Sequence, residues 1–177
     1  MRLIILTHGG ADLLLESLAA LEGVGIASVF IERPSARTRG FQERLRRSIK
    51  YDGVIGTAGK LFSQNKNASD RPNDPTAAKA TGLGLKVEVI DDFHADGSIA
   101  MMRAANADLA VIYGTNIIKE NVFSIPKLGS INLHQGLAPQ YRGGPPIFWE
   151  LFNGEKEVGL TVHFVAAKVD TGDIILQ

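Results

Sequence analysis

Short apolar runs alternate along this chain with stretches of helical periodicity, and that alternation restricts it to a small set of folds. Leu3-Ile4-Ile5-Leu6 reads as a buried strand, and Thr7-His8-Gly9-Gly10-Ala11-Asp12 turns into an apolar-rich helix ending near Leu21, stopped by Gly23. Ile26 to Ile31 is the next strand. A strand, a helix and a strand in that order predict parallel pairing through a right-handed crossover. Further strands are expected at Lys86 to Ile90, Leu109 to Tyr113, Ile131 to Leu133 and Leu160 to Val165, with helices at Ser98 to Asn106 and Ile147 to Phe152. Pro145 and Pro146 suit the first turn of that last helix, and Asn153-Gly154 ends it. The pattern as a whole predicts a doubly wound, mainly parallel α/β sheet in a single domain.

Composition narrows the functions. The 177 residues, 45% of them hydrophobic, suffice for one sizeable core. The 19 basic and 19 acidic side chains cancel, so no global field draws the chain to nucleic acid or to a membrane surface. The absence of cysteine excludes disulfides, thiolate catalysis and Cys-ligated zinc. Met1 to Thr7 is too short for a signal peptide, and no run approaches the roughly 18 apolar residues that span a bilayer, so a cytoplasmic location is expected. The local basic excess lies in the segment 33–50. There Phe41, Leu45 and Ile49 form an apolar helix stripe, while Arg44, Arg46 and Arg47 occupy other faces, joined by Arg33, Arg37, Arg39 and Lys50. It reads either as a solvated helix face or as a patch for a phosphorylated or nucleotide-bearing substrate. Asn65 to Pro75 reads as a loop, a lid or an insertion.

The chemistry concentrates in the last third. In Ser130-Ile131-Asn132-Leu133-His134-Gln135-Gly136, side-chain alternation puts Asn132 and His134 on one face of a strand, at the end where open α/β sheets bind ligands. Val169-Asp170-Thr171-Gly172-Asp173 offers a carboxylate to orient the imidazole, although spacing alone leaves open whether Asp170 reaches His134. His8-Gly9-Gly10, between a strand and a helix, is either an anion site or a plain tight turn, and lacks the glycine spacing of a dinucleotide fingerprint. His94 reads as a surface residue and His163, on an alternating strand, as a structural one.

Asn132-x-His134, Leu137-Ala138-Pro139-Gln140-Tyr141-Arg142-Gly143, Asn153-Gly154-Glu155, Gly159-x-Thr161-Val162-His163-Phe164 and Val169-Asp170-Thr171-Gly172-Asp173-Ile174 follow one another in an order that resembles the catalytic half of the folate-dependent formyltransferases. That family includes methionyl-tRNA, glycinamide ribonucleotide and sugar-nucleotide formyltransferases and the related formyltetrahydrofolate hydrolases. The resemblance implies a Rossmann-like formyltransferase fold and transfer of a formyl group from N10-formyltetrahydrofolate to an amine, with no metal. It implies a catalytic set of Asn132, His134 and Asp170, and a pterin pocket lined by Tyr113, Gly114, Thr115, Asn116, Ile117 and Ile118 on one side and by Thr171 and Gly172 on the other. His8, Gly9, Gly10, Gln135 and Arg142 are the candidates for the acceptor side. Gln135 replaces a smaller residue or proline, and Ala138 a leucine, so the acceptor is left open. Zero net charge favours a small-molecule amine such as an amino-sugar nucleotide over a tRNA, without excluding the tRNA. A hydrolase, or a non-catalytic folate- or nucleotide-binding module, is the alternative. The chain stops at Gln177 where family members continue, so it is read as one catalytic domain over residues 1–177, truncated at its C-terminus, with an oligomeric state that the sequence does not reveal.

Overall fold

The computed structural model describes residues 1–33 and 74–177. Contacts divide the chain into two units, Met1–Arg33 with Pro75–Gln177 and Pro34–Asp74, and the architecture that follows is that of the first. The apolar stripe at Phe41, Leu45 and Ile49, the basic residues beyond Arg33 and the loop before Asp74 lie outside the described residues.

Strand β1 (Arg2–Thr7) leads through α1 (Asp12–Ala19) to β2 (Gly25–Glu32); then come α2 (Pro75–Gly82), β3 (Val87–Ile90), α3 (Asp96–Ala104) and β4 (Leu109–Tyr113). The chain continues through α4 (Glu120–Phe123), β5 (Ser130–His134), α5 (Phe148–Phe152), β6 (Thr161–Phe164) and β7 (Ile174–Leu176). The sheet order is β3-β2-β1-β4-β5-β6-β7. Pairing is parallel from β3 through β5 and antiparallel for β5 with β6 and for β6 with β7. The order reverses direction between β1 and β4, which opens a crevice beyond the carboxyl ends of those two strands.

Alternation along the inner strands builds a core on each face of the sheet. Leu3 and Ile5 join Leu15, Val29, Ile31 and Val111 on one side, while Ile4 and Leu6 join Phe30, Phe93, Met102 and Ile112 on the other. Because both faces are covered, β1 is an unbroken apolar run rather than a polar-apolar alternation. Helix α2 was not evident in the sequence. Its first residue, Pro75, was assigned to the preceding loop, but proline is well tolerated in the first turn of a helix, and Ala80 packs into the core. Among the described residues, no helix is long and apolar enough to cross a membrane.

Two surface carboxylates tie loops to this frame. Asp108 accepts the Arg2 backbone N–H at 2.7 Å and the Lys127 ammonium at 3.1 Å. Asp92 accepts the His94 N–H at 2.8 Å, and the His94 Nε2 in turn accepts the Lys119 N–H at 3.1 Å, so this histidine fastens the entry to α4. Backbone N–H donors hold both carboxyls below their ordinary value of 3.8, His94 acting on Asp92 and Arg2 on Asp108. Since the folded-state values are depressed, the stabilisation is present above the unfolded value and is lost as pH falls through the folded values. Urea midpoints measured from pH 7 downward are expected to stay level until about pH 4 and then fall, more shallowly in Asp108→Asn.

Candidate active site

Beyond the carboxyl ends of β1, β4 and β5 lies a cavity of about 480 Å³. Gly9 and Gly10 form one wall, the segment from Tyr113 to Ile118 a second, Asn132 to Gln135 a third, and Lys168 to Asp170 a fourth. The turn after β1 depends on its glycines: Gly9 and Gly10 have φ of 119° and 72°, where side chains with a Cβ are strained. Thr7 caps this turn, its hydroxyl accepting the Gly9 N–H at 3.0 Å.

Strand β5 presents two faces. Ile131 and Leu133 pack toward the core, and Asn132 and His134 therefore point together to the other side. The antiparallel register sets Asn132 opposite His163 and His134 opposite Thr161. Asp170 arrives from the turn after β6 in a left-handed conformation with φ of 48°. Its Oδ2 lies 3.4 Å from His134 Nδ1 and accepts the Gly143 N–H at 2.8 Å. Its Oδ1 lies 3.3 Å from His163 Nε2 and accepts from Asn132 Nδ2 at 3.4 Å. One nearly buried carboxylate thus joins two imidazoles, an amide and the glycine loop.

The two imidazoles are oriented by carbonyl oxygens, which can only accept. His134 Nε2 lies 2.7 Å from the Tyr141 carbonyl and so carries its proton, leaving Nδ1, beside Asp170, as the nitrogen that gains or loses one. His163 Nδ1 donates to the Phe164 carbonyl at 2.7 Å, and its Nε2 faces Asn132 Nδ2 at 3.3 Å. Thr161 buttresses the loop after β5, donating to the Gly136 carbonyl at 2.7 Å and accepting the Ala138 N–H at 3.1 Å. Farther out, a hydrogen bond to Glu155 holds the exposed Tyr141 hydroxyl above its ordinary pKa.

The residues singled out from the sequence separate into two groups. Asn132, His134, Asp170, Gln135, Gly9, Gly10 and the run from Tyr113 to Ile118 all line the cavity, with Gln135 donating to the Tyr113 hydroxyl at 3.1 Å. His8, Arg142, Thr171 and Gly172 do not. His8 turns away to Glu32 at 2.5 Å and stacks on Phe93; Arg142 is exposed to solvent. Gly172 is pressed against β6 and Thr171 bonds the Lys168 carbonyl at 3.0 Å, so both shape the turn that carries Asp170. His163 was missed. The signal was its place on one face with Thr161, but antiparallel pairing with β5 was needed to bring it to Asn132. Among the described residues, no cluster of three or more His, Cys, Asp or Glu side chains could hold a metal ion.

The fold has close counterparts among solved structures. Phosphoribosylglycinamide formyltransferase from Anaplasma phagocytophilum superposes with a TM-score of 0.68 at 20% identity, over 99% of this chain and 70% of that one. The same enzyme from Streptococcus pneumoniae TIGR4 gives 0.64 at 16% identity, over 99% and 79%. The architecture is therefore the fold of these solved structures. The Formyl transferase family model matches residues 38–177, and this chain belongs to that family. Among its curated relatives, methionyl-tRNA formyltransferase of Chlorobium limicola (strain DSM 245) is 41% identical over 149 residues, covering 84% of this chain and 46% of that protein. The methionyl-tRNA formyltransferase of Bacteroides thetaiotaomicron is 40% identical over 149 residues, with 84% and 45% coverage. The chain thus spans about half the length of these relatives.

Proposed function

We propose that this chain transfers a formyl group from N10-formyltetrahydrofolate to a primary amine, with Asn132, His134 and Asp170 as its catalytic residues. The observation that carries this reading is the meeting of an amide, an imidazole and a carboxylate on the wall of one cavity. Its volume falls within the usual range for small-molecule sites, and the run from Tyr113 to Ile118 forms one of its walls.

In the reaction, the amine nitrogen bonds to the formyl carbon, an oxyanion forms, and the bond from that carbon to N10 breaks as N10 takes up a proton. Among the described residues, Asn132 Nδ2 makes only long contacts of 3.3 and 3.4 Å, so it can turn to the oxyanion at small cost. His134, with Nε2 fixed on Tyr141, offers Nδ1–H to the same oxygen when protonated. Each such donor is typically worth about 3 kcal/mol in the transition state. Asp170 stabilises the imidazolium and, through a water, receives the proton that leaves the amine. Gly9, Gly10 and Gln135 form the acceptor side, and Thr171 and Gly172 hold the Asp170 turn in place.

The acceptor is the finer question. The relatives compared above are named for methionyl-tRNA and the fold neighbours for phosphoribosylglycinamide, so neither supports the amino-sugar nucleotide favoured on charge. Absorbance of the folate product, followed with methionyl-tRNA, glycinamide ribonucleotide and amino-sugar nucleotides in turn, identifies it. Product formed without any amine means a hydrolase, and folate bound without turnover means a binding module. Asn132→Ala is expected to lower transfer by about 10² to 10³ while folate affinity, read by fluorescence quenching, changes little. Unchanged turnover in that variant removes Asn132 from the mechanism.

A further inference from the structure

Helix α5 is turned inside out. Phe148, Trp149, Leu151 and Phe152 are 48%, 45%, 65% and 71% exposed, whereas Glu150 between them is 1% exposed. An amphipathic turn ordinarily buries its apolar side and solvates its carboxylate. The helix begins after Ile147, whose φ of 66° places a β-branched residue in the left-handed region, so the backbone is strained at the step that turns Glu150 inward. Among the described residues, the buried Glu150 Oε1 has no hydrogen-bond partner. A buried carboxyl with an orphaned oxygen is costly to keep, and such groups concentrate at functional sites.

What Oε1 faces is shown by Gly136. A Cβ on that residue would lie 2.6 Å from the Tyr141 carbonyl oxygen, 2.7 Å from His134 Nε2 and 3.2 Å from Glu150 Oε1. The three polar atoms therefore surround one point that glycine alone keeps clear. Glu150 does not line the cavity, and the atom of His134 on its side is Nε2 rather than the Nδ1 that Asp170 approaches. The two ring nitrogens compete for the proton of the neutral imidazole. A carboxylate is a stronger acceptor than a carbonyl, so Asp170 alone draws that proton to Nδ1 and against the Tyr141 bond. A second carboxyl group on the Nε2 side opposes that pull.

We propose that Glu150 is a positioning residue whose buried carboxyl keeps the His134 proton on Nε2, leaving Nδ1, beside Asp170, as the nitrogen that takes up the second proton. Its consequence for catalysis rests on the formyl-transfer reading, whereas the tautomer itself does not. The groups facing His134 are then Asp170 at Nδ1, the Tyr141 carbonyl at Nε2 and Glu150 behind Gly136.

The test is the ¹⁵N spectrum of histidine-labelled protein, with the His134 signals assigned by their loss in His134→Gln. In the neutral ring of the unsubstituted chain, Nε2 is expected to be protonated and Nδ1 bare. Glu150→Gln and Glu150→Leu are expected to move the proton toward Nδ1 and to lower kcat about 10- to 100-fold with little change in the KM for folate. Because it removes a buried polar group whose Oε1 has no partner among the described residues, Glu150→Leu is expected to raise the melting midpoint by about 2 to 8 °C. A spectrum unchanged in both variants, or a drop in melting midpoint without a change of tautomer, overturns the proposal and makes Glu150 structural. A chain that transfers no formyl group yet shows the tautomer change overturns the proposed reaction and leaves this role for Glu150 standing.

Discussion

Asp170→Asn is expected to leave the chain folded and to reduce formyl transfer by about 10³-fold or more. Asparagine is among the few residues that enter the left-handed region readily, so the φ of 48° at this position is preserved. What disappears is the charge that His134 Nδ1 and His163 Nε2 approach at 3.4 and 3.3 Å. The amide can still accept the Gly143 N–H through its oxygen, which keeps the glycine loop in place. It cannot stabilise an imidazolium or receive a proton, and loss of those two contributions together accounts for the factor. Single-turnover transfer with the preferred amine measures it, and circular dichroism checks the fold. Transfer within tenfold of the unsubstituted chain would show that His134 works without Asp170.

Gly172→Ala is expected to damage both fold and site. A Cβ there would lie 1.8 Å from the Phe164 carbonyl oxygen and 2.6 Å from its carbon. These are backbone atoms of β6 and do not swing aside as a side-chain end does. The turn must lift, breaking the 3.0 Å bond from the Phe164 N–H to the Asp173 carbonyl. Overpacking of this kind costs about 1 to 3 kcal/mol, which for a chain of this length lowers the melting midpoint by about 2 to 12 °C. Asp170, two residues back, moves with the turn, and a displacement near 1 Å costs about 10² in rate. A melting midpoint within a degree of the unsubstituted chain would show that the turn accommodates the methyl group.

Much of this architecture is legible in the sequence because its signals are local. Buried parallel strands are continuous apolar runs, so β1, β2 and β4 stand out, and the alternation of Asn132 with His134 follows from strand geometry once β5 is located. What was hidden depends on contacts between distant segments. The pairing of β5 with β6 is antiparallel in a sheet that is otherwise parallel up to that point, and no short stretch announces it. His163 consequently looked structural. Glu150 escaped notice for a different reason: the sequence marks a helix over Ile147 to Phe152 but not which side of it is buried, and the structure buries the carboxylate. Thr171 and Gly172 were placed at the pocket through resemblance, yet their contacts serve the strand behind it.

The reversal of β6 also fixes when this site can exist. Asn132 and His134 belong to a strand laid down on β4, but the carboxylate and the second imidazole arrive only when the chain doubles back along β5 in one particular alignment. A slip of one residue would present Val162 or Phe164 to Asn132 instead of His163. Every inner strand can therefore be in place while the chemistry is still absent. Competence is acquired only when β6 and the turn after it are in place, because that segment brings both the fourth wall of the cavity and the carboxylate that serves it.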